Sequence, residues 1–249
     1  MELPESFRGA ALVAKGPAVL LETYGGLADA RDGTSSDATT RFQLSSVSKQ
    51  FVAAGVQLLA GKGSLSVDDP VAAWFLDSPP SWNSISLANL VTHTAGLGHW
   101  RDYAAIDPAE PIDDDAFVAA VQARPLPADL PAPHLYSSPG YGLLARVIER
   151  ASGMTYASFV TDNIFSPLEM RDTFVGNANG RRAVARGYHG LDERPSWELD
   201  TASKGAGDVW TTARDLDRWD QALLSDALLP IASRELMFRS SATIDGLPN

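Results

Sequence analysis

Phe42-Gln43-Leu44-Ser45-Ser46-Val47-Ser48-Lys49 runs directly into Gln50-Phe51-Val52-Ala53-Ala54-Gly55-Val56-Gln57-Leu58-Leu59-Ala60. The second half is apolar almost all round, so a helix formed here has no solvent face and belongs at the centre of the molecule. The pattern predicts a helix over 46–60, stopped by Gly61 and Gly63, which reach the left-handed conformation at a helix end without steric cost. Ser46 and Lys49 stand three apart in its first turn, so their side chains share one face. A lysine there is a poor choice for stability, because the helix dipole repels its charge and burial disfavours the charged form. Both effects push its pKa down, as a base that deprotonates a serine requires. The bland alternative has Ser45 capping the helix and Lys49 snorkelling to water. The chain has only four lysines (15, 49, 62 and 204), yet its many serines make S-x-x-K a pattern that chance supplies, so context has to decide.

The second chemical element is Tyr136-Ser137-Ser138-Pro139-Gly140-Tyr141-Gly142. Ser138 followed by Pro139 reads as an N-cap and then a proline in the first helical turn. That puts Tyr136 on the loop before the helix, its hydroxyl free to enter a cleft. A phenol so placed relays a proton to a leaving group, and Ser138 gives or accepts a hydrogen bond. Taken alone, the same residues describe a tyrosine packed at a helix entry.

Further outward, two short apolar runs at 10–14 and 18–22 flank the turn Lys15-Gly16-Pro17 and predict a hairpin. Helices are expected near 70–75, 87–91, 114–123, 140–151, 156–165, 212–224 and 231–238, with short strands at 172–175 and 183–188. Asp113-Asp114-Asp115 suits the positive end of the helix it opens. Residues 107–139 carry seven of the 16 prolines and predict an extended, stiff surface segment. A lone hairpin is marginal in water, so it needs further strands or a helix to cover it.

Composition narrows the function classes. The chain has 249 residues, 45% of them apolar and 20% charged, enough for one sizeable globular domain. Twenty basic against 31 acidic residues give a net charge of −11 with no basic run, which argues against a nucleic-acid partner. No stretch has the roughly 20 apolar residues of a membrane span. The start, Met1-Glu2-Leu3-Pro4-Glu5, shows no export signal, so a cytoplasmic location is expected. There is no cysteine, and the four histidines (93, 99, 134 and 189) lack metal-site spacing. No G-x-S-x-G elbow is present. Trp82, Trp100, Trp197 and Trp210 read as core or interface packing before cleft lining.

Together, Ser46-x-x-Lys49 and Tyr136-Ser137-Ser138-x-Gly140-Tyr141 resemble the serine β-lactamases and penicillin-binding-protein-like hydrolases, specifically the class C β-lactamase-related branch with its esterases. Three further stretches are similar to that family's connecting signatures: Phe42-Gln43-Leu44-Ser45-Ser46, Leu90-Val91-Thr92-His93-Thr94-Ala95-Gly96-Leu97, and Gly205-Ala206-Gly207-Asp208-Val209-Trp210-Thr211-Thr212-Ala213-Arg214-Asp215-Leu216. All fall in the family's order. The resemblance implies an α/β (α+β) fold of β-lactamase/transpeptidase type, a helical lobe packed on an antiparallel sheet with the site between them. It implies one domain over 1–249, with the sheet-lobe hairpin and entry loop at 1–45 and a mainly helical lobe at 46–249. It makes Ser46 the acyl-accepting nucleophile, Lys49 its proton acceptor and Tyr136 the second acid/base group. The Ser46 N–H becomes an oxyanion donor and Ser138 a substrate-binding hydroxyl, with no metal and no cofactor.

The implied substrate is a small ester or amide, and esterase ranks first. A β-lactamase, a D-amino-acid peptidase or a non-catalytic penicillin-binding sensor are the alternatives. Two departures bear on this. Ser138 stands where the family often has Asn, which favours esters over amides. No Lys-Thr-Gly or His-x-Gly strand follows: Lys204-Gly205-Ala206-Gly207 belongs to the glycine-rich signature, and His189-Gly190-Leu191 comes too early. The chain stops at Ile244-Asp245-Gly246-Leu247-Pro248-Asn249, so a C-terminally incomplete domain lacking its last strands is expected.

Overall fold

Helix α1 (Lys49–Gly61) runs through the middle of the molecule, as its apolar circumference demands, with Phe51, Val52, Ala54 and Val56 fully buried. The computed structural model describes residue 4 and residues 6–107, 110–189, 192–193 and 203–238. Around α1 stand α2 (Leu87–Val91), α3 (Asp114–Gln122), α4 (Ser138–Ser152), α5 (Tyr156–Val160), α6 (Ala213–Leu223) and α7 (Ile231–Phe238). Helices α4, α5 and α7 pack on α1, while α2 and α3 pack on α4. Gly55 makes the closest approach possible, since a Cβ there would meet Ile148 Cδ1 at 2.9 Å and Phe159 Cε1 at 3.2 Å. Phe51 fills the far side, against Phe165 at 5.2 Å and Trp219 at 4.6 Å between ring centroids.

The strands form small antiparallel sheets. β1 (Gly9–Lys15) and β2 (Ala18–Gly25) make the expected hairpin, with a bulge between Val13 and Ala14. β3 (Leu27–Asp29) pairs with β4 (Thr34–Ser35). β5 (Phe42–Gln43), β6 (Phe174–Val175) and β9 (Val209–Thr211) form a three-stranded sheet in the order β5-β9-β6, and β7 (Tyr188–His189) pairs with β8 (Asp192–Glu193). The hairpin finds its cover in α6: Gln221 Nε2 donates to the Gly16 carbonyl at 2.7 Å, and Arg214 pairs with Glu22. The fold is thus the α+β arrangement of helices on antiparallel sheet that the sequence led us to expect. No helix among the described residues is long and apolar enough to cross a membrane.

Several local expectations need correction. The central helix does not begin at Ser46; Ser45–Ser48 form a 3-10 turn and the α-helix starts at Lys49. Neither Ser45 nor Ser48 caps it with a side chain, because strand β9 anchors the entry instead: Val209 N–H donates to Ser48 Oγ at 3.1 Å and its carbonyl accepts from Leu44 N–H at 2.9 Å. Ser137, not Ser138, is the N-cap of α4, accepting from Gly140 N–H at 3.0 Å and donating to the Gly98 carbonyl at 2.8 Å. The 156–165 helix divides into α5 and a π-type turn, Thr161–Phe165. The proline-rich run is not wholly at the surface. Its end is docked on the segment after α2, where Ala132 N–H donates to the Thr94 carbonyl and Leu135 N–H to that of His93, each at 2.9 Å. Strands β5 and β9 were not expected, since two or three residues show no alternation. Readings that rested on Trp197, on Gly190 and Leu191, on residues 1–3 and 5, and on 244–249 lie outside the described residues.

Candidate functional site

The 3-10 turn decides the geometry of the serine–lysine pair. Residues three apart eclipse on a 3-10 turn. Ser46 Oγ therefore lies 3.3 Å from Lys49 Nζ. Ser45 sets the turn up with a φ of 47°, a left-handed conformation that costs a non-glycine residue about 1–3 kcal/mol. The strain is offset where β9 and the preceding turn hold Leu44, Ser48 and Lys49 in place.

Lys49 does not snorkel. It is 7% exposed and, among the described residues, carries no carboxylate partner; its Nζ donates to the Ala206 carbonyl at 2.7 Å. Burial pulls its pKa down, against the opposing pull of Tyr136 and Asp208. A lysine poised toward the neutral amine beside a serine hydroxyl can take that hydroxyl's proton.

Tyr136 comes to the same point from the other side. Lys49 Nζ lies 5.0 Å from its ring centroid and 5.6 Å from that of Tyr141. The Tyr136 hydroxyl is buried and, among the described residues, has no hydrogen-bond partner of normal geometry. Burial alone would push the phenol up, but Lys49, Ser46 and Ser138 close around it and bring it below its ordinary value. Ser138, at the first position of α4, lines the open cleft with Ser46. The structure thus brings Ser46, Lys49, Tyr136 and Ser138 together. The cleft has a volume of about 260 Å³ and is also walled by Gln43, His99, Trp100, Ser203 and Gly207.

Three neighbours, His93, His99 and Asp208, were not singled out from sequence as site residues. His93 and His99 pack against Tyr136, at 4.5 Å and 5.6 Å between centroids. Trp100 stands on the cleft wall, whereas Trp82 is sealed in the core and Trp210 stacks on Phe174 at 5.9 Å. Asp208 is fully buried; its Oδ2 accepts from Gly205 N–H at 3.0 Å and so shapes the turn whose Ala206 carbonyl holds Lys49. Burial pushes the Asp208 carboxyl up to about 7. The only sequence signals for His93 and Asp208 were the connecting signatures containing them. Lys204, in place of a cleft lysine, is tied up with Asp114 and Glu149. Among the described residues, no group of three or more His, Asp or Glu is placed to hold a metal ion.

In this α+β protein a serine–lysine pair and a tyrosine converge at the entry of a buried central helix. The beta-lactamase family model matches residues 2–245, and the chain belongs to that family. Penicillin-binding protein 4* of Bacillus subtilis (strain 168) is 31% identical, over 93% of this chain and 55% of its own length. Esterase EstB of Burkholderia gladioli is 33% identical, over 74% of this chain and 51% of its own. Among solved structures, a penicillin binding protein from Bacillus halodurans superposes with a TM-score of 0.83 at 25% identity, covering 96% of this chain and 77% of that one. The chain spans about half the length of the curated relatives it matches.

Proposed function

We propose that this chain carries the acyl-transfer centre of a serine hydrolase acting on a small carboxylic ester. The observation that bears most weight is the buried, carboxylate-free Lys49 amine 3.3 Å from Ser46 Oγ. In this reading the Lys49 amine accepts the Ser46 proton as Oγ attacks the carbonyl carbon. The charge that develops on the carbonyl oxygen is met by the Ser46 N–H, one of the donors a first helical turn leaves without an intrahelical partner. Collapse of the tetrahedral intermediate breaks the bond to the leaving alkoxide, which takes a proton from Tyr136. Water then attacks the acyl-serine, gives its proton back through the same groups, and releases the acid.

Ester ranks above amide for two reasons. Ser138 presents a short hydroxyl where an amide-reading side chain would need longer reach, and an alkoxide leaves with less help than an amine. The relative named an esterase supports the same order. The test is hydrolysis of p-nitrophenyl acetate together with labelling by a fluorophosphonate probe. Wild-type protein is expected to turn over and to be labelled at Ser46, and Ser46→Ala to lose both. Labelling elsewhere, or turnover that survives Ser46→Ala, overturns the proposal.

A further inference from the structure

Tyr136 sits in a loop, so no helix or strand fixes its ring. His93 does so instead. Its carbonyl accepts from Leu135 N–H at 2.9 Å, and its Nδ1 accepts from Ser137 N–H at 3.1 Å. These are the two residues that flank Tyr136. Between those two bonds the imidazole lies against the Tyr136 ring, 4.5 Å between centroids with planes 40° apart. A left-handed φ of 59° at His93 lets its backbone oxygen and ring nitrogen serve the same short loop. The Ser137 bond places the ring proton on Nε2. Burial, with the charges of His134, Lys49 and His99, keeps the ring neutral by holding its pKa down at about 4, so Nδ1 remains an acceptor through neutral pH.

We infer that His93 is a positioning residue for Tyr136: its imidazole, bonded to the backbone on one flank and packed on the ring itself, sets where the phenol meets Ser46 and Lys49. The inference rests on the hydrolase reading above. It assigns His93 no proton transfer and no contact with substrate.

The pair that tests it is His93→Gly and His93→Asn in the full-length protein. Both residues tolerate the positive φ, so backbone strain is matched; Gly removes acceptor and ring, while Asn restores an acceptor close to the Nδ1 position. The active fraction is first counted by fluorophosphonate labelling, and rates are given per labelled site. His93→Gly is expected to lower kcat for p-nitrophenyl acetate by about tenfold to about a hundredfold with KM little changed, the loss that a small misplacement of a catalytic group produces. The pH limb that disappears in Tyr136→Phe is expected to move upward in His93→Gly, because the phenol leaves the groups that lower its pKa. His93→Asn recovers most of the rate and the original limb. Unchanged kcat in His93→Gly, a drop confined to the labelled fraction with the pH limb unmoved, or an Asn variant no better than Gly overturns the inference. A wild-type protein that is neither labelled nor active overturns the hydrolase reading instead.

Discussion

At the residue scale, the site depends on which charges burial permits. Lys49 has a carbonyl and a hydroxyl for company, and the nearest buried acid, Asp208, is itself pushed up to about 7 by its surroundings. A buried lysine facing a fully ionised carboxylate would stay protonated and could not serve as a base. Among the described residues Asp208 Oδ1 has no partner, while Oδ2 shapes the Gly205 turn. Its folded pKa lies above the unfolded value of 3.8, so the folded state binds the extra proton between about pH 4 and 7. Its contribution to stability is therefore present at low pH and lost as pH rises through 7. Asp208→Asn keeps an oxygen acceptor for Gly205 and removes the titration. Urea denaturation from pH 4 to 8 is expected to show a shallower decline in the variant, which becomes the more stable of the two at pH 8. An identical slope in both proteins would remove Asp208 from the account.

At the element scale, the junction of β9 with the turn before it does most of the positioning. The Ala206 carbonyl holds Lys49, the Gly207 carbonyl accepts from Gln43 Nε2 at 3.0 Å, and Val209 holds Leu44 and Ser48. Gly205 makes the turn possible with a φ of 71°, where a Cβ would meet Ala145 Cβ at 2.7 Å and the Tyr141 carbonyl oxygen at 3.1 Å. Gly205→Ala should cost about 2–3 kcal/mol, from the strained φ and the overpacking together. Gly61 is the control, at the end of α1 with no neighbour within 4 Å of an added Cβ and no positive φ. Gly61→Ala should stabilise by about 0.5 kcal/mol through its effect on the unfolded chain. Denaturation midpoints of the two variants, moving in opposite directions, check this.

At the scale of the whole molecule, α3, α4 and the 203–208 turn are joined by ion pairs rather than by apolar contact alone. Arg146, 2% exposed, pairs with Asp114 at 2.6 Å and lies 3.9 Å over the Phe117 ring, while Lys204 bonds Asp114 and Glu149. Burial works to raise the Asp114 carboxyl, but Arg146 and Lys204 prevail and hold it below its usual range. A depressed acid contributes stability above its unfolded pKa and loses it as pH falls through the folded one, opposite in sign to Asp208. Arg146→Ala deletes a buried side chain and one of Asp114's two cationic partners, and should destabilise by about 2 kcal/mol at pH 7, with the deficit shrinking in acid. Thermal melts at pH 7 and pH 3 measure both parts.

The central helix, the hairpin and most helix positions are legible in the chain, because apolar periodicity, glycine stops and proline starts act over a few neighbouring residues. α2 and α7 fall where the pattern places them. The sequence also brought Ser46, Lys49 and Tyr136 forward as candidates, because a serine and a lysine three apart at the entry of a rod with no wet face stand out from ordinary packing. Tertiary structure alone decided the rest. The 3-10 entry that eclipses Ser46 and Lys49 exists because β9, some 160 residues away in the chain, bonds to Leu44 and Ser48. Strands of two or three residues have no alternation to read, so β5 and β9 emerge only once the helices bring them side by side. The burial of Asp208 and the grip of His93 on the Tyr136 loop arise the same way, from contacts between segments far apart in sequence, where local propensity has nothing to say.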